Sequence, residues 1–196
     1  MMKILHLSDL HVEPVGKLAY ARANTARRMI ELTEWLAQHK DEYDAIAVSG
    51  DLSCDGNIDS YHLIDAIFRS LPKPCFMVPG NHDRRKPFLE CLSHFCPNVY
   101  SPENLSFSVD LGDYRLFMLD TLQPGIHWGA LPDGVLDWLE AEMKIPTSLP
   151  WFSVTIRRSN PVWAIWMNHS ETGTASLRFS RNGRMYVSVQ AIYIAP

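Results

Sequence analysis

Three short apolar runs, each closed by a similar polar tail, constrain this chain more than any other feature. Lys3–Leu7 runs into Ser8-Asp9-Leu10-His11, Ala45–Ser49 into Gly50-Asp51, and Cys75–Val78 into Gly80-Asn81-His82-Asp83. Between them lie stretches with helical spacing. Met29, Leu32 and Leu36 mark one apolar face, and Tyr61, Ile64, Phe68 and Leu71 mark another, stopped by Pro72 and Pro74. Strand–helix–strand–helix–strand implies right-handed crossovers and a parallel sheet covered by helices. In such a sheet the carboxyl ends of the strands share one edge, where ligands bind.

The pattern then changes. Residues 107–111 and 114–119 flank Gly112-Asp113, a hairpin signal. Leu136, Leu139 and Met143 predict a further helix, and residues 151–156, 162–167, 176–179 and 185–190 read as antiparallel strands of a second sheet. The predicted architecture is a two-sheet α/β sandwich with helices outside. A length of 196 residues suits one domain, and 46% hydrophobic with 20% charged residues excludes a disordered or coiled-coil chain. A net charge of −4 argues against a nucleic-acid polymer or an anionic membrane as partner. No apolar run approaches the ~20 residues of a membrane span, and the N-terminal run is too short for a signal peptide. Cys54, Cys75, Cys91 and Cys96 read as reduced thiols, and the expected location is cytoplasmic. Cys91, His94 and Cys96 have no second ligand pair at finger-like spacing, so they read as packing residues.

The polar tails place Asp9, His11, Asp51, Asn81 and His82 at one sheet edge. Two carboxylates, a carboxamide and two imidazoles gathered without partners would repel or desolvate one another. A divalent cation resolves that conflict. Asp51 has two oxygens and can bridge two ions. Hard oxygen mixed with imidazole nitrogen suits Mn²⁺, Zn²⁺ or Fe. The glycines before Asp51 and Asn81 allow close backbone approach. Each piece alone is an ordinary loop feature; the three in order at successive strand ends carry the metal-site reading.

The blocks Leu7-Ser8-Asp9-Leu10-His11, Ser49-Gly50-Asp51-Leu52 and Pro79-Gly80-Asn81-His82-Asp83 resemble the signatures of the calcineurin-like metallophosphoesterases. Residues 119–121 and 136–140 are similar to the branch of bacterial cyclic-nucleotide and glycerophosphodiester phosphodiesterases. The resemblance spans residues 3–144 and implies a binuclear centre. By it, Asp9, His11 and Asp51 hold a first metal and Asp51 and Asn81 a second. His82 lies near the leaving group as acid or charge stabiliser, and a metal-bound hydroxide attacks phosphorus. Asp51 and His82 are then the catalytic residues, and Asn81 and His82 meet the substrate. Asp83 fixes the turn, and Asp55 either orients His82 or caps its own loop.

Two later elements of that family are not intact. Where a His-His-Pro-Pro-like turn should follow a strand stands Arg157-Arg158-Ser159-Asn160-Pro161. Where Gly-His-x-His should follow stands Asn168-His169-Ser170-Glu171. Glu171 is an acceptable fourth ligand for the first metal, and His169 a ligand for the second. Arg157 and Arg158 cannot ligate a cation but can pair with a substrate phosphate. The expectation is one domain over residues 1–196, matched over 1–144 and divergent over 145–196, in a truncated metallophosphoesterase fold. It hydrolyses a small phosphodiester with one firm and one weaker divalent metal site (Mn, Fe or Zn). A homo-oligomer stays open. The alternatives are a weak phosphomonoesterase, a catalytically impaired metal- and phosphate-binding relative, and a damaged tail after residue 145. His6 reads as a packed histidine, His39 and His62 as surface residues, and no Gly-x-Ser-x-Gly elbow supports a serine hydrolase.

Overall fold

β1 (Lys3–Leu7), β2 (Ala45–Ser49) and β3 (Cys75–Val78) pair in parallel with the bounds read from the sequence. The computed structural model that shows this describes residues 2–112, 114–144, 151–155, 163–167 and 190–193. The strands are short and apolar because both faces are covered: Ile4, Leu7, Ile46, Val48 and Met77 are fully buried. α1 (Thr25–Gln38) covers the sheet with Met29 and Leu36, its start capped by the Asn24 side chain, which accepts the Arg27 N–H at 2.9 Å. α2 (Ile58–Arg69) does the same with Tyr61, Ile64 and Phe68, capped by Asn57.

A further helix, α3 (Arg85–Leu92), was not among those predicted. Its signal was present: Phe88, Cys91 and Leu92 are buried at helical spacing, and Pro87 sits in the first turn, where a missing N–H costs nothing. Phe88 meets Tyr61 of α2 with ring centroids 5.9 Å apart. β4 (Phe107–Leu111) and β5 (Tyr114–Met118) form the expected hairpin, with Leu111 opposite Tyr114 and Gly112 at φ +59°. α4 (Asp133–Lys144) forms where expected, with Leu139 and Met143 half-buried. Val135 is buried and Trp138 packs against Phe117 at 6.2 Å, while Leu136 is 45% exposed.

The second sheet corrects the all-antiparallel expectation. β6 (Trp151–Thr155) runs parallel to β5, because α4 carries the chain back across the sheet, and β7 (Trp163–Met167) is antiparallel to β6. The strand order is β4-β5-β6-β7. β8 (Gln190–Tyr193) leaves that sheet and pairs antiparallel with β1, giving the first sheet the order β3-β2-β1-β8. The strand expected at 176–179, and residues 185–189 of the one at 185–190, lie outside the described residues. Phe76 of β3 and Phe107 of β4 approach across the two sheets, 6.3 Å between centroids.

Arg85 at the start of α3 ties the sheets together at their carboxyl edges. Its Nε donates to Asp120 Oδ2 at 2.6 Å and its Nη2 to Oδ1 at 2.9 Å. Asp120 is fully buried and also accepts the backbone N–H of Leu105 and Leu122. The four cysteines carry free thiols. His94 pairs with Asp65 at 2.8 Å. Among the described residues no helix is long and apolar enough to cross a membrane.

His6 is buried inside β1, where its Nε2 meets the Ser49 hydroxyl. Burial disfavours the imidazolium and pushes its pKa down to about 4, against a smaller upward pull from Asp9. Between pH 6.5 and about 4 the unfolded chain therefore binds the extra proton and the folded one does not. Stability of the metal-free protein should fall across that window as pH drops, by on the order of 3 kcal/mol from this residue. In His6→Gln, urea titrations at pH 7 and pH 4.5 should differ less by about that amount. An unchanged difference would assign the acid sensitivity elsewhere.

Candidate metal centre

The three strand ends are stitched into one surface by their backbones. Beyond β1 the chain runs beside the loop after β2: the N–H groups of Asp9, His11 and Val12 donate to the carbonyls of Gly50, Asp51 and Leu52 at 3.2, 2.9 and 2.8 Å. Asp9 (φ +56°), His11 (+43°) and Asp51 (+51°) all occupy the left-handed region that favours glycine. At these positions the chain leaves the extended conformation as the loops after β1 and β2 run side by side. Such strain persists only where surroundings over-determine it, and it collects at functional sites.

The glycines act as the sequence suggested. A Cβ on Gly50 would stand 2.7 Å from Gly80 Cα, and a Cβ on Gly80 would stand 2.3 Å from the Asp51 amide nitrogen and Oδ1. The loops after β2 and β3 can close on each other only without those side chains.

Asp83 is the clamp between the same two loops. Its buried carboxylate accepts the N–H of Leu52 (3.0 Å), Ser53 (3.0 Å) and Gly80 (2.8 Å) and the Tyr61 hydroxyl (2.9 Å). Burial pushes its pKa up to about 6, partly offset by those N–H groups, with the Asp51 charge adding to the rise. Asp83 thus fixes the turn, as read from the sequence.

At the centre, His11 Nε2 lies 3.8 Å from both Asp9 Oδ1 and Asp51 Oδ2. One ligand atom each from His11, Asp51 and His82 falls within 4.8 Å of the others, and the two imidazoles meet edge to face at 4.8 Å. Asp51 Oδ1 accepts the His82 N–H at 3.1 Å. Asp51 Oδ2 is buried and has no hydrogen-bond partner among the described residues. Asp9 accepts the Ser8 hydroxyl at 2.8 Å on its other oxygen, and Asn81 is half-buried beside His82.

Separations of 3.8 Å are too long for hydrogen bonds. They suit ligand atoms that each stand about 2 Å from a shared ion. An orphaned buried carboxylate oxygen facing an imidazole across such a gap is costly unless a cation fills it. The donor set therefore fits a divalent ion.

The surroundings include groups the sequence reading missed. His82 Nδ1 lies 2.8 Å from the Cys54 carbonyl. A carbonyl only accepts, so Nδ1 carries the proton and Nε2 the lone pair of the neutral ring. The Cys54 carbonyl orients His82, and Asp55 caps its own loop by accepting the Asn57 N–H at 3.1 Å. Burial and the Glu13 carboxylate push the Cys54 thiol up to about 12, so it keeps its proton. Tyr20, half-exposed and at φ +51°, sets its ring edge-on to His11 at 5.5 Å and to His82 at 6.5 Å, its hydroxyl 3.4 Å from His11 Nδ1. An aromatic residue on the loop after the first site motif was the only sequence signal for it. Arg157, Arg158, His169 and Glu171 lie outside the described residues.

Two facing sheets flanked by helices, with an acid–imidazole cluster at the carboxyl ends of β1, β2 and β3, define a two-layer α/β fold with a candidate metal site. The same fold appears in the purple acid phosphatase PPD1 from yellow lupin seeds, with a TM-score of 0.51 at 16% identity over 79% of this chain and 30% of that one. The family model for Calcineurin-like phosphoesterase matches residues 2–190, and the chain belongs to that family.

Among curated relatives, the glycerophosphodiester phosphodiesterase GpdQ of Enterobacter lignolyticus is 30% identical over 143 residues, 72% of this chain and 51% of that protein. The 3′,5′-cyclic adenosine monophosphate phosphodiesterase CpdA of Pseudomonas aeruginosa is 30% identical over 136 residues, 69% of this chain and 47% of that protein. The chain spans about half the length of the curated relatives it matches.

Proposed function

We propose that this chain is a metal-dependent phosphoesterase that hydrolyses a small phosphodiester of the cyclic-nucleotide or glycerophosphodiester type. The orphaned Asp51 Oδ2, facing His11 across a cation-sized gap, is the observation that carries this reading. The phosphodiesterase names of the relatives support the substrate class.

Asp9, His11 and Asp51 would hold one divalent ion with Glu171, and Asp51 and Asn81 a weaker second with His169. When bound, such ions lower the pKa of water and neutralise charge on the phosphoryl oxygens. The chain's own part is positional and protic. Gly50 and Gly80 let the two loops carry their donors close together, and the clamped Nδ1–H leaves Nε2 as the atom where His82 takes or gives a proton. Arg157 and Arg158 would pair with phosphate oxygens. We place all of these residues in one cytoplasmic domain.

The same Arg157-Arg158 pair, standing where neutral imidazoles complete related sites, favours the second reading: a relative that binds metal and phosphate without turnover. Elemental analysis of the purified protein, read beside turnover of bis-p-nitrophenyl phosphate with added Mn²⁺, separates the two. Two metal equivalents with hydrolysis that a chelator abolishes and Mn²⁺ restores is the expected result. One equivalent without hydrolysis establishes the second reading, and no metal uptake overturns both.

A further inference from the structure

We propose that Cys54 is a positioning residue that holds His11 in its site-facing conformation; the inference rests on the metal-centre reading above. Cys54 stands three residues after Asp51 and touches the segments that carry both imidazoles. Its thiol donates to the His11 carbonyl at 3.2 Å, and its own carbonyl accepts the His82 Nδ1–H at 2.8 Å.

His11 needs such a hold. It is a buried non-glycine residue at φ +43°, a conformation kept only where neighbours impose it. The His11 N–H is gripped by the Asp51 carbonyl at 2.9 Å, and the thiol grips the opposite end of the residue. Both grips come from the loop after β2, so the imidazole is aimed by the same segment that supplies Asp51. The Glu13 carboxylate is a second acceptor for the same thiol proton. The two contacts of Cys54 differ in kind. The bond to His11 uses the side chain and is lost on mutation, whereas the bond to His82 uses the backbone and survives it.

That difference makes the test selective. In Cys54→Ala, the ring resonances of His11 in nitrogen–proton correlation spectra of the metal-free protein should move, while His82 keeps its Nδ1–H tautomer. Mn²⁺ affinity by calorimetry should fall about 10–100-fold, the usual cost of losing a group that orients a metal ligand. Cys54→Ser, which keeps a donor, should restore both. If the Ala variant does not fold, Cys54→Val, which fills the space without a donor, carries the same expectation.

Wild-type His11 resonances and wild-type Mn²⁺ affinity in the Ala variant would overturn the proposal. So would equal disturbance of His11 and His82, which signals general loosening. Should the wild-type protein itself take up no Mn²⁺, the metal reading fails, and the His11 resonances alone still decide the role of Cys54.

Discussion

Replacing Asp51 by Asn should make the metal-free protein more stable and at the same time abolish its response to Mn²⁺. Asp51 Oδ2 is buried and unpartnered among the described residues, with the Asp9 carboxylate close by across His11. Removing that charge relieves an uncompensated desolvation of about 1–3 kcal/mol. An amide in the same place keeps an oxygen for the His82 N–H and turns an N–H toward His11 Nε2, the ring nitrogen 3.8 Å from Oδ2 in the wild type. For a chain of this length the melting temperature should rise roughly 2–12 °C.

Mn²⁺ at a hundred times its dissociation constant should stabilise the wild type by about 2.7 kcal/mol and the variant by nothing measurable. Turnover of bis-p-nitrophenyl phosphate should drop to background. Paired thermal melts with chelator and with Mn²⁺ check both halves. A variant that melts below the wild type in chelator, or that keeps its Mn²⁺ shift, would mean that Asp51 is an ordinary structural acid.

Replacing Asp83 by Ala should have the opposite sign and a larger size. Three backbone N–H groups and the Tyr61 hydroxyl converge on this one buried carboxylate. Truncation leaves all four donors buried without an acceptor, a loss on the order of 4 kcal/mol. Asp83→Asn should recover only part of it, because one amide oxygen replaces two carboxylate oxygens and the new amide N–H2 faces donors. Urea unfolding of the three proteins measures the effect. A loss below about 1 kcal/mol in the Ala variant would show that water or a relaxed loop takes over the clamp. The loop after β3 positions Asn81 and His82 through the same clamp, so Mn²⁺ affinity should fall in the variants that still fold.

Much of the site was legible without coordinates because its chemistry sits beside strand ends, and strand ends are local. A run of four or five apolar residues buried on both faces has little freedom in where it stops, so β1, β2 and β3 were placed to the residue. The acids and imidazoles that follow belong to the one edge where parallel strands deliver them. The glycines before Asp51 and Asn81 announced a close approach that the Gly50–Gly80 contact bears out. By contrast, the exposure of Leu136 on α4 did not follow from its spacing. Val135 and Leu136 are both apolar, and only the rings of Tyr100 and Phe117 lying against Trp138 decide which side faces in.

The amino-acid order alone determined the three parallel strands of the first sheet, the family and the gathering of Asp9, His11, Asp51 and His82 at their carboxyl ends, since each follows from short-range periodicity and from residue types in a recurring order. Tertiary structure alone decided that β6 runs parallel to β5, that β8 returns to the first sheet beside β1, that the Cys54 carbonyl holds His82, and that one oxygen of Asp51 is buried without a hydrogen-bond partner among the described residues. Those facts depend on which backbone groups and surfaces meet across tens of residues. Every carbonyl and every apolar strand is locally alike, so only the packed chain selects among them.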